Sequence, residues 1–213
     1  KANFSNLGNE NINMTNGTAE QINTIASLTT GKVTATISDT AANLVAALKN
    51  SAGDVLSLTV TGTAKAADLI TLDGKTALDV TVTGVTAITG TYAELYKVYQ
   101  TNALNFIGLG TQNVTITDKV TVDQINTIKE LIETTGVVTA AVSGSAADLA
   151  KLDTVDDAHN DAITLTVSGT TAAAADLNTL NDKTSVPVNA ASVTTITSDA
   201  ANVAGVLAAY TAN

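Results

Sequence analysis

The chain contains the same sequence twice, and this duplication constrains the fold more than any other feature. The phrase at residues 3–8 (NFSNLG) returns at 105–110 (NFIGLG), with the phenylalanines 102 positions apart. Residues 21–25 (QINTI) return unchanged at 124–128, and later phrases keep their order while the offset grows to 108. A sequence written twice predicts one structural unit built twice. We place the first copy at residues 1–103 and the second at 104–213.

A shorter unit of about 22 to 30 residues recurs within each copy, near the periods of known repeat proteins. Each unit begins with apolar residues that alternate with Thr or Ser, as at 56–61 (LSLTVT) and 163–168 (ITLTVS). This alternation is the period of a half-buried strand. An Ala-rich segment follows, and Ser or Thr three residues before Gln, Glu or Asp marks the start of a helix. Helix ends are predicted at four glycines, Gly31, Gly53, Gly74 and Gly136.

Four such βα units in each copy predict an α/β protein with a parallel sheet. Because one unit is too short to bury a core, we predict a right-handed βα solenoid in which both copies stack as one continuous array. Two tandem small α/β domains are the alternative, which the lack of a Pro/Ser/Gly-rich linker disfavours. The fourth unit of each copy is longer, and we interpret it, at 79–89 in the first copy, as a two-strand coil or an edge hairpin. Pro187 cannot donate to a central ladder, so its strand is predicted at an exposed edge.

Composition excludes several classes of function. The absence of cysteine excludes disulfides, thiolate metal sites and cysteine nucleophiles. A net charge of −10 and a pI near 4.3 disfavour nucleic acid, whose phosphates bind basic surfaces, and anionic membranes. No apolar run approaches the roughly 20 residues of a membrane-spanning helix. We therefore expect neither nucleic acid nor membrane insertion.

An acidic segment in the second copy is the candidate metal site. Asp153, Asp156, Asp157 and Asp161 lie within nine residues, together with the sole histidine, His159. Carboxylate oxygens are the ligands that Ca²⁺ prefers, but the spacing lacks the glycine and terminal glutamate of an EF-hand loop. We favour a solvated acidic loop and no cofactor, with Ca²⁺ as the alternative. The histidine lacks the nucleophile and orienting group that a catalytic base needs.

Threonines at the outward strand positions are the candidate binding residues. They are Thr59, Thr61, Thr81, Thr83, Thr164 and Thr166. Aligned hydroxyls on a flat parallel sheet would order water, as in ice-binding solenoids, or contact a glycan. Threonine is also a common strand residue whose hydroxyl tolerates solvent, and we favour that interpretation. The sequence contains no phosphate-binding glycine loop and no Ser/His/Asp set, so we expect no enzymatic activity.

The repeated phrases resemble the βα-repeat regions of very large exported bacterial surface proteins, described as hemolysin-like, adhesin-like or S-layer-like. The resemblance is carried by Ser/Thr-Ala-Ala-Asp/Asn-Leu helix starts and the strand residues before them, at 38–44, 63–69, 143–149 and 171–177. It implies export, commonly by a one-step secretion route, and an extracellular or cell-surface location in a bacterium. The calcium-binding nonapeptide of RTX proteins is absent, so the resemblance does not imply calcium.

The sequence thus predicts a non-enzymatic structural repeat module that acts as a stalk, spacer or surface-layer segment. Residues 210–213 match 99–102, where the first copy passes to the next Asn-Phe phrase, so the expected partners are further copies in a longer polypeptide. The alternative is an adhesion or binding module for a glycan, ice or another cell surface, using the Thr/Ser-rich sheet face. An enzyme fragment is a third interpretation, which the lack of converging polar residues disfavours.

Overall fold

The computed structural model describes residues 6–49, 54–132, 136–153 and 161–212. The chain is α/β, with helices alternating with strands that pair in parallel, which confirms the predicted class. It divides into two compact units, Lys1–Thr89 with Ala93–Leu109, and Gly90–Tyr92 with Gly110–Asn213. No closed sheet is formed by the described strands, and the solenoid stacking stays a prediction.

Helices and strands follow the predicted alternation in both copies. Up to residue 107 the elements are β1 (Ile12–Asn13), α1 (Ala19–Ala26), β2 (Val33–Asp39), α2 (Ala41–Ala47), β3 (Val55–Lys65), α3 (Ala66–Asp73), β4 (Val80–Gly90), α4 (Tyr92–Tyr96, followed by a π-helical turn Lys97–Thr101), a 3-10 turn (Ala103–Asn105) and β5 (Phe106–Ile107). From residue 113 they are β6 (Asn113–Ile116), α5 (Val122–Leu131), β7 (Val138–Gly144), α6 (Ala146–Leu149), β8 (Ala162–Val167), β9 (Thr171–Ala173), α7 (Ala174–Asn181), β10 (Thr195–Thr197) and α8 (Ala200–Ala212).

Strand order follows sequence order in each unit. In the first unit β1, β2, β3 and β4 are successive parallel neighbours, and β5 pairs with β4. In the second unit β6, β7 and β8 are successive parallel neighbours, and β9 pairs with β10. The β9–β10 register repeats that of Thr63–Lys65 against Ala87–Thr89 with an offset of 108, so the duplication extends to strand register.

Alternate strand residues form the core, as the period of two predicts. Along β3, Leu56, Leu58 and Val60 are buried, while the residues between them are half-exposed. Helices α1 to α7 bury apolar residues, such as Leu69 and Leu72 of α3, whereas the described residues of α8 are exposed or half-exposed. Because the helices cover the apolar side of the strands, the Ser and Thr side of each unit's sheet faces solvent.

The predicted helix starts are confirmed by their caps. The Thr18 hydroxyl accepts from the Gln21 N–H at 3.2 Å, and the Thr18 N–H donates to Gln21 Oε1 at 3.0 Å. Thr121 and Gln124 repeat this capping box in the second copy. Ser145 also caps its helix, with its hydroxyl accepting from the N–H of the third residue on.

The predicted helix ends are only partly right. Gly74 is the C-cap of α3, as predicted, but α1 and α5 end several residues before Gly31 and Gly136. A Cβ at either glycine would collide with the backbone of the preceding strand region, at Glu10 or Gln112. These two glycines therefore allow close approach of two chain segments and do not end helices; Gly53 lies outside the described residues.

The fourth strand also differs from the prediction. Residues 80–90 form one continuous parallel strand and not a hairpin, with a register shift against β3 between Thr59 and Thr61. In the second copy the same region is divided into a single bridge at Asn189 and the separate strand β10. Pro187 is exposed and lies two residues before this bridge. Within the described residues, no helix has the length and apolar character needed to cross a membrane.

Candidate functional site

A row of hydroxyls crosses the solvent face of the first unit's sheet. Ser38 of β2 lies beside Thr59 of β3, and Thr59 lies beside Thr81 of β4. Parallel neighbours are about 4.8 Å apart, which sets the spacing of the row. Ile107 of β5 lies beside Thr81 and is 51% exposed, so the row ends in an apolar side chain.

The β3–β4 register shift removes two predicted residues from this row. Thr61 pairs with Gly84 and not with Thr83, because the bulge displaces β4 after Thr81. Gly84 leaves room for the Thr61 side chain, since a Cβ there would lie 3.2 Å from the Thr61 Cγ2. The structure therefore aligns Thr59 with Thr81 and leaves the other two threonines out of register.

The second unit carries a similar but less uniform face. Thr164 lies beside Ala141, and Thr166 lies beside Ser143 and is bridged to Asn189. Thr164 is exposed and Thr166 is half-exposed. Because alanine and asparagine interrupt the hydroxyls, this face offers mixed chemistry where the first unit offers a short hydroxyl row.

The hydroxyls of the aligned threonines are available to solvent. Within the described part of the chain, no hydrogen bond joins the Thr59 or Thr81 side chain to another residue. Threonines on the helices behave differently, since the Thr71 hydroxyl donates to the Ala67 carbonyl at 2.9 Å. The sheet face is thus the surface where threonine hydroxyls can meet a ligand or ordered water.

Asp161, one of the predicted metal ligands, is buried and already paired. It is 3% exposed, its Oδ1 accepts from the Val138 N–H at 2.8 Å, and its Oδ2 lies 3.1 Å from Lys129 Nζ. The same ammonium donates to the Asp153 carbonyl at 3.1 Å. A lysine therefore supplies positive charge at the border of the acidic segment.

The rest of the predicted calcium site lies outside the described residues. Asp156, Asp157 and His159 fall in 154–160, so calcium binding stays a prediction. The described ranges contain no group of three or more His, Asp and Glu arranged to hold a metal ion.

Asp161 makes a hydrogen bond to the start of the preceding strand that recurs elsewhere in the chain. Sequence reasoning missed this repeated contact. Asp54 precedes β3 and accepts from the Val33 N–H at 2.8 Å, as Asp161 precedes β8 and accepts from the first residue of β7. Asn11 and Asn113 accept from the N–H groups of Lys32 and Val137 at the starts of β2 and β7. The signal in the sequence was an Asp or Asn at the start of successive strands.

A second repeated contact uses asparagines on the helices. The Asn126 amide donates to the Lys151 carbonyl at 3.1 Å, and its oxygen accepts from the Asp153 N–H at 3.0 Å. Asn23 makes the same pair of bonds to Ala47 and Lys49 in the first copy. Each asparagine fastens the C-terminal end of the next helix, and the unchanged phrase QINTI was the signal for it.

Tyr99 is the buried polar side chain without a partner among the described residues. It is 5% exposed, and its hydroxyl makes no hydrogen bond. Burial raises the pKa of this phenol well above its ordinary value of 10.0.

An apolar groove lies at the end of the second unit. It encloses about 550 Å³ and is lined by residues 187–196, α7 and α8, including Pro187, Val188, Ile196, Leu207 and Tyr210. Its lining includes Leu207, which is 54% exposed, and Tyr210, which is 80% exposed. Large exposed apolar side chains in one groove are typical of a contact surface.

Comparison with known proteins provides no family assignment. No family model matches the chain, and neither a curated protein nor a solved structure is detectably similar to it.

Proposed function

We propose that this chain is a non-enzymatic structural repeat module of a secreted or cell-surface bacterial protein, acting as a stalk, spacer or surface-layer segment. The observation that carries the proposal is the repeated asparagine contact, in which Asn23 and Asn126 fasten the next βα unit in the same way in both copies. Further copies of the repeat are the proposed partners.

The hydrogen bonds of the polar side chains support this function. Asp54 and Asp161 accept from backbone N–H groups at strand starts, and Thr76 and Thr184 donate to carbonyls of the preceding strand, at Leu56 and Ile163. Carboxylates and hydroxyls can take part in catalysis in other proteins. Here these groups form hydrogen bonds to the backbone of the neighbouring unit. A repeat whose contacts join neighbours is suited to extension by further units.

Labelling of intact cells tests the proposed location. Antibodies raised against the purified chain should label unpermeabilised cells of the encoding bacterium or detect the protein in the culture medium. An antibody against a cytoplasmic protein of the same cells is the control for lysis. Labelling that requires permeabilisation would count against a surface or secreted module.

The alternative is a binding module that uses the Thr/Ser-rich face, and the unbonded hydroxyls of Thr59 and Thr81 favour it. Thermal hysteresis and binding to a glycan array would be measured for the wild type and for Thr59→Val/Thr81→Val. Valine keeps the shape and removes both hydroxyls. Thr71→Val, on an exposed helix position, is the matched control.

A binding function predicts a signal that Thr59→Val/Thr81→Val removes and Thr71→Val keeps. A signal that all three proteins share would place binding elsewhere on the molecule. No signal in any of them would leave the structural module as the function to test.

A further inference from the structure

The first copy shows how its fourth strand is covered on the side away from β3. There β5 lies along β4 in parallel, with Phe106 beside Val80 and Ile107 beside Thr81. Phe106 is 6% exposed, and Val80 and Ile88 of β4 are fully buried. The phrase at residues 105–110 thus supplies the strand and the apolar side chain that cover this edge.

The corresponding edge in the second copy is uncovered in the described structure. Asn189 corresponds to Thr81, since each pairs with a threonine of the preceding strand, Thr166 or Thr59. The Asn189 N–H donates to the Leu165 carbonyl at 2.9 Å, so one edge of 188–190 is used. No described residue pairs with the other edge, and Ile196 is 36% exposed where Ile88 is fully buried.

The chain itself contains a segment that matches this edge. Residues 3–8 repeat the phrase at 105–110, with Phe4 at the position of Phe106. Asn6 has a φ of 60° and Gly108 a φ of 89°, while Gly8 and Gly110 have φ values of 137° and 111°. The described part of the N-terminal phrase therefore has positive φ angles at the same two positions as the docked one.

One pair of residues favours the second copy's edge as the place where the N-terminal phrase docks. A Cβ at Gly108 would collide with the Thr83 Cγ2, so an asparagine would not fit there. Asn6 does carry a Cβ, but Ala191 replaces Thr83 at the offset of 108 and has no Cγ2. The residue types on the two sides thus differ together, and the collision with the Cγ2 has no counterpart at Ala191.

We propose that residues 3–8 of a second copy of this chain add to the free edge at 188–190 as a parallel strand and place Phe4 in the apolar groove. Strand addition to an open edge is an established mode of peptide recognition. The contact is heterologous, joining the head of one molecule to the tail of another, and such contacts build open chains unless they close a ring. The proposal rests on the proposed structural function and names its partner.

Sedimentation of the purified 213-residue chain over a range of concentrations tests this association. The wild type should form species larger than a monomer as concentration rises. Phe4→Asp removes the apolar side chain of the head, and Val188→Lys places a charge at the tail edge. Each variant should weaken association by about tenfold or more, because a buried phenylalanine contributes more than the free energy of one decade in affinity.

Mixing the two variants separates docking from misfolding. Phe4→Asp retains an intact tail and Val188→Lys retains an intact head, so an equimolar mixture should form a dimer and nothing larger. A variant that had failed to fold would not be rescued in this way. Leu78→Asp, at an exposed apolar residue that precedes β4 in the first unit, is the control and should associate like the wild type.

Two outcomes would overturn the proposal. One is a wild type that stays monomeric at every concentration. The other is loss of association in Val188→Lys but not in Phe4→Asp, which would indicate a symmetric dimer through the groove. Neither outcome bears on cell-surface labelling, so failure of this inference and failure of the proposed function can be told apart.

Discussion

At the scale of single residues, the unusual feature of the described interior is a buried tyrosine. Tyr99 is 5% exposed, and its hydroxyl has no hydrogen-bond partner in the described structure. Burying an unpaired hydroxyl costs free energy because its bonds to water are lost. The aromatic ring contributes to packing, and the hydroxyl does not.

Tyr99→Phe is therefore expected to stabilise the protein. Removing the unpaired hydroxyl while keeping the ring should raise the free energy of unfolding by about 1 kcal/mol. Urea denaturation of the wild type and the variant measures this difference. Tyr210→Phe, at a tyrosine that is 80% exposed, is the matched control and should leave stability unchanged. A clear loss of stability in Tyr99→Phe would mean that the hydroxyl is bonded.

The same residue predicts a dependence of stability on pH. Burial raises the pKa of Tyr99, so the native state keeps the phenol neutral while the unfolded chain ionises it near pH 10.0. The contribution of the neutral phenol to the free energy of unfolding is fully present below the pKa of the unfolded chain. It is lost as pH rises above that pKa, because only the unfolded chain then releases the proton. Between pH 10 and 11 the wild type should lose about 1 kcal/mol more than Tyr99→Phe, as urea denaturation at both pH values would show.

At the scale of elements, neighbouring βα units are joined by side chains that cross from one helix to the end of the next. Asn126 donates to the Lys151 carbonyl and accepts from the Asp153 N–H. An amide carries its donor and its acceptor on separate atoms, so one asparagine can make both bonds at once. The contact therefore uses both halves of the Asn126 amide and holds the end of α6.

Asn126→Leu should lower the free energy of unfolding by about 2 kcal/mol, since it removes both bonds to the backbone. Thermal and urea unfolding measure the loss. Asn43→Leu is the control, because Asn43 is exposed and its amide bonds the exposed Asp39 side chain four residues before it. Equal losses in the two variants would contradict a special role for the contact between units.

The buried ion pair between Lys129 and Asp161 lies in the second unit. It predicts that removing one of the two charges lowers the free energy of unfolding more than removing both. Lys129 and Asp161 side chains are 13% and 4% exposed. Asp161→Asn keeps an acceptor for the Val138 N–H but removes the negative charge that pairs with Lys129, which should cost about 3 kcal/mol. The double variant Lys129→Met/Asp161→Asn should recover most of this loss, as measured by urea denaturation.

Asp148→Asn is the control for that cycle. Asp148 pairs with Lys151 at 2.7 Å, but both side chains are exposed, so solvent screens the pair. The hydrogen bond from Lys151 lowers the pKa of Asp148, without making the pair important for stability. A larger effect in Asp148→Asn than in Asp161→Asn would contradict the assignment of the buried pair.

At the scale of the whole molecule, a net charge of −10 makes any cation stabilise the chain to some extent. Specific calcium binding by the acidic segment predicts more than this. The unfolding midpoint of the wild type should rise with Ca²⁺ and not with Mg²⁺, and the rise should be absent in Asp156→Asn/Asp157→Asn. Equal effects of the two ions would identify the segment as a solvated acidic loop.

The sequence by itself determined the features that depend on local physics. Alternating residues placed Leu56, Leu58 and Val60 in the core, because the side-chain period of a strand is set by its backbone. Thr18 and Thr121 marked helix starts, because a cap involves residues only three positions apart. The duplication likewise needed only comparison of the chain with itself.

Tertiary structure decided what depends on pairing between distant segments. The bulge between β3 and β4 aligned Thr59 with Thr81 and separated Thr61 from Thr83, and no local pattern encodes such a shift. Burial paired Asp161 with Lys129, although the sequence presented the aspartate as part of an acidic loop. Gly31 proved to be a point of close approach because the chain segment it meets lies about 20 residues away, beyond the reach of helix-ending rules.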